Sequence, residues 1–247
     1  MAEADRIAAE YARRAAAIPA ERYSPAAPAQ LLLRQSRERA VLAALRRTGM
    51  LPLAGRRILD VGCGTGQWLA DFETWGADRD RLAGIDLLPE RVAAATARLT
   101  PGADLREGDA GSLPWPPGRF DVVLQSTVFS SILDAGMRTA VAAEMARVLA
   151  PGGVILWNDF FLDNPRNRAV RGIGKREIAA LFPGFELTLR RVTLAAPLAR
   201  AIAPRSHLAA VLLEAAQVLN THYVGVLGQT ARRSPNASRT SGGGSRK

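Results

Sequence analysis

The stretch that decides the fold is Ile58-Leu59-Asp60-Val61-Gly62-Cys63-Gly64-Thr65-Gly66. Its first four residues form a short, mainly apolar run, which is typical of a buried strand. Three glycines follow at alternate positions, and Trp68 to Phe72 then return to helical spacing. In such a strand, turn and helix, the backbone passes close beneath a ligand and the helix N-terminus points at it. The stretch therefore predicts a ligand site after a first strand.

The spacing of the glycines separates two classes of ligand. A dinucleotide fingerprint, G-x-G-x-x-G, counted from Gly62 requires glycine at position 67, where the chain has Gln67. This disfavours an NAD-dependent oxidoreductase. The pattern present, D-x-G-x-G-x-G from Asp60 to Gly66, resembles motif I of the class I S-adenosylmethionine (SAM)-dependent methyltransferases. An ordinary glycine-rich turn is the alternative, so the interpretation depends on residues further along the chain.

Four later elements extend this resemblance over about residues 57–159. Asp86 ends a predicted second strand, and Asp109-Ala110 end a third. Phe120-Asp121-Val122-Val123 resembles the family's fourth strand, F-D-x-V, and residues 147–153 resemble its R-x-L-x-P-G-G connector. The elements follow one another in the order of the family. The resemblance implies an α/β fold with a Rossmann-like seven-stranded mixed sheet and an N-terminal helical lid.

The resemblance also implies a cofactor, S-adenosyl-L-methionine, with S-adenosyl-L-homocysteine as its product. A strand-end carboxylate such as Asp86 can accept hydrogen bonds from two ribose hydroxyls at once. In the family an acid at the place of Asp109 receives the adenine amino group, and the N–H of the next residue, Ala110, meets a ring nitrogen. The residues predicted to bind the cofactor are Asp60, Gly62, Cys63, Gly64, Gly66, Asp86, Leu87, Asp109, Ala110 and Gln125.

The chain divides into three predicted parts: N-terminal helices (1–48), a methyltransferase domain (49–231) and a disordered basic tail (232–247). Helices are predicted over 2–18 and about 29–48. They either form a lid or substrate wall or simply pack on the sheet. In the C-terminal third, a helix is predicted over 175–182 and strands over 185–194 and 223–228. The apolar run 208–227 is ambiguous, and we interpret it as a helix over 209–219 followed by the last strand.

The acceptor is predicted to bind at the ends of the fourth and fifth strands, because a doubly wound sheet binds ligands beyond the carboxyl ends of its strands. The residues predicted to contact it are Tyr11, Tyr23, Thr127, Phe129, Asp159 and Tyr223. An apolar, aromatic-walled cleft of this kind suits a small molecule such as a secondary metabolite, quinone precursor, sugar or lipid. An RNA or protein methyltransferase, or a SAM-binding protein without methyl transfer, is the alternative.

Methyl transfer from a sulfonium depends mainly on alignment, and a neutral hydroxyl acceptor also requires a base. The candidate bases are His222, His207 and Asp159, of which His222 lies in a polar island, Asn220 to Tyr223, within an apolar segment. The alternative for His222 is a hydrogen-bonding residue of the core. Two distant histidines and one cysteine predict no metal site.

The charge and the cysteine content of the chain limit the kinds of partner that it is expected to bind. The net charge is +10, of which five basic residues lie in 232–247, so the rest carries 28 basic and 23 acidic residues, or +5. This charge does not require a polyanion. Gln125 to Val128 replace the Asp/Asn-Pro-Pro-aromatic segment of DNA amino-methylating enzymes, and the only cysteine, Cys63, lies in the glycine turn. We therefore predict a cytoplasmic monomer or homodimer with no nucleic-acid partner, no membrane span and no signal peptide.

Overall fold

A computed structural model describes residues 2–17, 19, 24, 26–99, 101–164 and 167–230. In these ranges eight α-helices and seven strands follow one another along the chain. The helices are α1 (Glu3–Ala17), α2 (Pro28–Arg47), α3 (Gln67–Thr74), α4 (Pro89–Leu99), α5 (Ala135–Val148), α6 (Lys175–Leu181), α7 (Ala196–Ile202) and α8 (His207–Ala215). The strands are β1 (Ile58–Val61), β2 (Leu82–Asp86), β3 (Asp104–Glu107), β4 (Phe120–Ser126), β5 (Leu149–Phe160), β6 (Phe185–Leu194) and β7 (Asn220–Gln229).

The strands form one sheet in the order β3-β2-β1-β4-β5-β7-β6. The first five in this order are parallel, and β7 is antiparallel to both of its neighbours. The predicted seven-stranded mixed sheet is confirmed. Because β7 runs against β5 and β6, the carboxyl ends of β1 to β6 all lie at one edge of the sheet, which we call the carboxyl edge.

Apolar strands are buried on both faces by helices, as a parallel sheet requires. All four residues of β1 and all five of β2 are buried. One face packs against α1, α5 and α6, around the fully buried Trp157 of β5. The other face packs against α2, α3 and α4 through residues such as Leu45, Phe72 and Leu99. The glycine turn therefore leaves a strand in the centre of the core, which fixes its position.

Two strands differ from the prediction. β5 begins at Leu149, inside the predicted connector 147–153 and not after it, because Leu149 pairs with Phe120; the register then shifts between Phe120 and Val122. β7 begins at Asn220, three residues early, because it pairs with β6 along nearly its whole length. Helix α8 ends at Ala215, four residues before its predicted end.

The N-terminal helices lie close to their predicted bounds, since α1 covers Glu3–Ala17 and α2 covers Pro28–Arg47. Tyr23 and the tail 232–247 lie outside the described residues. The domain boundaries at 48 and 231 therefore stay predictions. Within the described ranges, no helix combines the length and the apolar character that crossing a bilayer needs.

Candidate active site

A cavity of about 330 Å³ opens at the carboxyl edge, beyond β1, β2, β3 and β4. Segments that follow these four strands line it, together with one face of α1 and the start of α5. Its lining residues are Ile7, Tyr11, Gly62, Cys63, Gly64, Thr65, Trp68, Ile85, Asp86, Leu87, Leu88, Arg91, Gly108, Asp109, Ala110, Ser126, Thr127, Val128, Ser131, Ile132 and Met137. The position agrees with the rule that such sheets bind ligands beyond their carboxyl ends.

The glycine turn is held against β2 and leaves no room for a side chain at position 62. The N–H groups of Gly62 and Cys63 both donate to the carbonyl of Ile85, at 2.8 and 2.9 Å. Gly62 has φ +70°, and a Cβ there would lie 2.5 Å from Cγ2 of Val128. A side chain at position 62 would therefore clash with Val128 as well as strain the backbone.

Asp86 is buried at the end of β2 and fixes the turn. Its two carboxylate oxygens accept hydrogen bonds from the N–H of Gly64, at 2.8 Å, and of Leu88, at 3.1 Å. A carboxylate offers about four lone-pair sites, so two remain for hydroxyl groups of a ligand. Asp86 is therefore both a structural acceptor and a residue that lines the cavity.

Asp60 lies behind the turn and does not line the cavity. Its carboxyl group is buried, and neither oxygen has a hydrogen-bond partner among the described residues. Burial, and after it the charge of Asp86, raises the pKa of Asp60 well above its ordinary value. The protonated carboxyl is the form that this position favours. The structure thus places Asp60 beneath the glycine turn and gives it no direct access to the cavity.

The far end of the cavity is formed by residues after β2 and β3. Leu87, Asp109 and Ala110 line it together, although they come from two different loops. Asp109 is exposed, and its Oδ1 accepts a hydrogen bond of 2.7 Å from the N–H of Gly111. Cys63 also lines the cavity, and burial followed by the charges of Asp60 and Asp86 raises the pKa of its thiol. A protonated thiol is a small apolar filler and not a nucleophile.

Helix α1 closes one side of the cavity through Ile7 and Tyr11. The guanidinium of Arg91 lies 3.9 Å from the centre of the Tyr11 ring, and the Tyr11 hydroxyl lies 3.3 Å from Oγ of Ser131. Arg6 donates to the carbonyl of Ser131, and Glu3 accepts from the N–H of Leu133, both at 2.5 Å. These contacts join α1 to both sides of the cavity mouth.

The loop after β4 carries an uncommon backbone conformation. Thr127, which lines the cavity, has φ +59°, a conformation that non-glycine residues adopt rarely. Its N–H donates to the carbonyl of Asn158, and its own carbonyl accepts from Oγ of Ser131. Strain that is held in place by surrounding hydrogen bonds is found preferentially at functional sites.

Eight predicted site residues lie away from the cavity or outside the described residues. Asp60, Gly66, Gln125, Phe129, Asp159, His222 and Tyr223 do not line it, and Tyr23 lies outside the described residues. Phe129 is fully buried and packs against Trp157. Asp159 is fully buried and accepts from the N–H groups of Ser130 and Phe160.

The predicted base, His222, is a core residue in this structure. Its ring packs 4.0 Å from that of Phe160, and Nδ1 lies 2.9 Å from Oγ1 of Thr221. Burial, and after it the positive charge of Arg37, lowers the pKa of His222 to about 3. The imidazole is therefore neutral but does not reach the cavity. Tyr223 stacks on Phe161, on the far side of β5 from the cavity lining.

The sequence analysis missed several residues that line the cavity. They are Ile7, Thr65, Trp68, Ile85, Leu88, Arg91, Gly108, Ser126, Val128, Ser131, Ile132 and Met137. Only Ile7 had a usable signal, because it lies four residues before Tyr11 and so on the same helix face. No group of three or more His, Cys, Asp or Glu able to hold a metal ion occurs in the described part of the chain.

Residues 58–153 match the family model described as a methyltransferase domain. A 27-O-demethylrifamycin SV methyltransferase of Amycolatopsis mediterranei is 35% identical over 55% of this chain and 53% of its own length. A phthiotriol/phenolphthiotriol dimycocerosates methyltransferase of Mycobacterium ulcerans is 31% identical over 66% and 56%. The chain thus spans about half the length of these curated relatives.

Solved structures share the fold at lower identity. The 1,6-didemethyltoxoflavin-N1-methyltransferase of Burkholderia thailandensis, solved with S-adenosylhomocysteine, is 20% identical, with a TM-score of 0.56 over 78% of this chain and 77% of its own. The [4+2]-cyclase SpnF is 22% identical, with a TM-score of 0.57 over 78% and 81%. The family match shows that residues 58–153 form a methyltransferase domain, and the sheet around them has the class I SAM-dependent methyltransferase fold.

Proposed function

We propose that the protein transfers a methyl group from S-adenosyl-L-methionine to a small-molecule acceptor. The observation that carries the proposal is the single cavity wall formed by Gly62 to Gly64, Asp86 and Asp109, which follow three adjacent strands. Such a wall fits an elongated ligand with a nucleoside at one end. The methyltransferase names of the relatives support the same chemistry.

The described residues fit this cofactor in three places. The free lone pairs of Asp86 suit the two ribose hydroxyls, and Asp109 with Ala110 suit the adenine edge. The turn at Gly62 and Gly64 leaves room for the backbone to approach the amino-acid part. The bound cofactor supplies an activated methyl group on a sulfonium; the residues of the chain hold and align it, and alignment of this kind can lower a barrier by about 7–11 kcal/mol.

The acceptor is proposed to enter between α1, the loop after β4 and the start of α5. This side of the cavity combines apolar side chains with a few hydroxyl groups. Its apolar members are Ile7, Val128, Ile132 and Met137, and its hydroxyl groups belong to Tyr11, Thr127 and Ser131. Mixed walls of this kind are typical of sites for small, partly apolar molecules. The printed names of relatives include ubiquinone biosynthesis and demethylmenaquinone methyltransferases.

The test has a binding step and a product step. Calorimetry with S-adenosylhomocysteine should show binding to the full chain and not to Gly64→Val, whereas NADH should not bind. Incubation with methyl-labelled SAM and a panel of phenols, quinols and hydroxylated lipids should then give a labelled small molecule. Tight NADH binding without SAM binding would refute the proposal. Cofactor binding with no labelled product in any fraction would leave a SAM-binding protein without methyl transfer.

A further inference from the structure

An exposed apolar surface lies on the connection between β6 and β7. Residues 195–219 form α7 and α8 there, and both ends of the connection lie at the carboxyl edge, because β6 ends and β7 begins at that edge. Eight large apolar side chains are exposed in the described part of the chain, and five of them belong to this connection. These five, Leu208, Leu212, Leu213, Val218 and Leu219, are called the leucine patch below.

The side chains of the leucine patch are exposed and do not pack in the core beneath α7 and α8. Leu208 is 68% exposed, Leu212 62% and Val218 77%. Leu208 and Leu212 lie four residues apart on α8 and therefore share one face of the helix. The opposite face packs through the fully buried Ala210, in a small cluster with α2 and α7. The helix is thus held by small residues while its leucines face outward.

The exposed charged side chains of residues 195–219 are all positive. Arg200 and Arg205 are exposed. The only acidic residue of 195–219 is Glu214, which faces inward, where it accepts hydrogen bonds from Ser36 and from the N–H of Thr193. The outer surface of α7 and α8 therefore presents leucines beside uncompensated positive charge.

We propose that the leucine patch docks the protein on a membrane surface that contains anionic lipids. Exposed leucines beside arginines are the features by which a helix lies in the interface of an anionic bilayer. The charges disfavour a second copy of the chain, because a two-fold contact through this face would bring two positively charged copies of the same surface together. The proposal does not depend on methyl transfer.

The test is sedimentation of the full chain with vesicles of phosphatidylcholine alone or with 25% phosphatidylglycerol. The wild type should sediment with the anionic vesicles and bind the neutral ones at least tenfold more weakly. Leu208→Glu/Leu212→Glu should abolish binding to both. Arg200→Gln/Arg205→Gln should weaken binding to the anionic vesicles by about 30-fold, which corresponds to about 1 kcal/mol for each arginine near the surface.

Leu162→Glu is the matched control, since Leu162 is 52% exposed but lies outside the leucine patch, and it should bind like the wild type. Circular dichroism and light scattering should show the same fold and mass for all variants in solution. The proposal is overturned if the wild type does not bind anionic vesicles, or if Leu208→Glu/Leu212→Glu still binds them. It is also overturned if the patch variant turns a wild-type dimer into a monomer without any loss of vesicle binding.

Discussion

Two glycines with similar backbone conformations allow strain and ligand contact to be separated. Gly64 has φ +54°, and among the described residues the only atom within 4 Å of a Cβ built on it is Nη1 of Arg91, at 3.8 Å, in the cavity wall. Gly55 has φ +78° and nothing within 4 Å. Alanine at either position should cost about 1–2 kcal/mol of folding stability, since both backbones are left-handed.

Only Gly64→Ala should also weaken S-adenosylhomocysteine binding, by roughly tenfold or more, because its methyl group would project toward the ligand. Urea unfolding and calorimetry of Gly64→Ala and Gly55→Ala measure the two effects. Equal affinities for the two variants would mean that Gly64 does not approach the cofactor.

Asp86→Ala should have two separable consequences. Gly64 and Leu88 would lose the acceptor of their N–H groups, so stability should fall, and the ribose hydroxyls would lose their proposed acceptor, which should weaken cofactor binding by about 1–3 kcal/mol. Asp109→Ala is the comparison, because Asp109 is exposed and accepts from only one backbone N–H. If Asp86→Ala binds S-adenosylhomocysteine as tightly as the wild type, the ribose assignment is wrong.

Asp159 makes stability depend on pH. Burial raises the pKa of this carboxyl to about 7, although hydrogen bonds from Ser130 and Phe160 favour the ionised form and act to lower the pKa. Between about pH 4 and pH 7 the folded state holds a proton that the unfolded state has lost, so this group's contribution to stability falls as pH rises, by at most about 1.4 kcal/mol per pH unit.

The stability of Asp159→Asn relative to the wild type should therefore rise from pH 4 to pH 7. Denaturant unfolding at several pH values measures it, with the exposed Asp80→Asn as control. A constant difference across this range would show that Asp159 is ionised in the folded protein throughout.

Helix α1 is the element on which the acceptor site depends most. The sequence predicted its extent, and Tyr11 as a wall residue, from an apolar stripe. The contacts that hold α1 could not be predicted, because Arg91 and Ser131 come from distant segments and neither lies in a family motif used here. His222 and Phe129 are the opposite case: they were predicted to be site residues because they lie near strand ends in the sequence. Their side chains are buried in the core.

Deleting residues 1–24 should abolish or strongly reduce methyl transfer while the sheet stays folded, because the deletion removes Ile7 and Tyr11 from the cavity wall, and Ile7 is the one buried residue among the described residues of 1–24. The finer variant is Tyr11→Ala, which loses the Arg91 contact, worth about 0.5–2 kcal/mol. Tyr11→Phe keeps the ring and is its control. Circular dichroism measures whether each variant stays folded, and transfer of a labelled methyl group measures its activity. Full activity after the deletion would exclude a lid role.

At the scale of the whole molecule, the sheet was the most predictable feature. Buried strands and glycine turns have short-range sequence signals, and five motifs in the family's order fixed the topology of residues 57–159. Strand ends in the C-terminal third were less predictable, because the bounds of β7 depend on its pairing with β6 and not on its own residues. Cytoplasmic location and a monomeric or homodimeric state stay predictions.

Removing residues 232–247 should leave folding and cofactor binding unchanged. This segment has five basic residues, no acidic one and little apolar content to bury. Thermal unfolding and calorimetry of the shortened chain measure both properties. A fall in melting temperature of more than a few degrees would contradict the prediction that the tail is a dispensable extension.

The central place of β7 has a consequence for synthesis. β7 is the last of the seven strands along the chain, yet it lies between β5 and β6. While the ribosome is still making residues 195–219, β5 and β6 are complete but each lacks a neighbour, so a nascent chain exposes two unpaired edges. Such edges recruit other chains. A chain that ends before Asn220 should therefore aggregate far more than one that ends after Gln229.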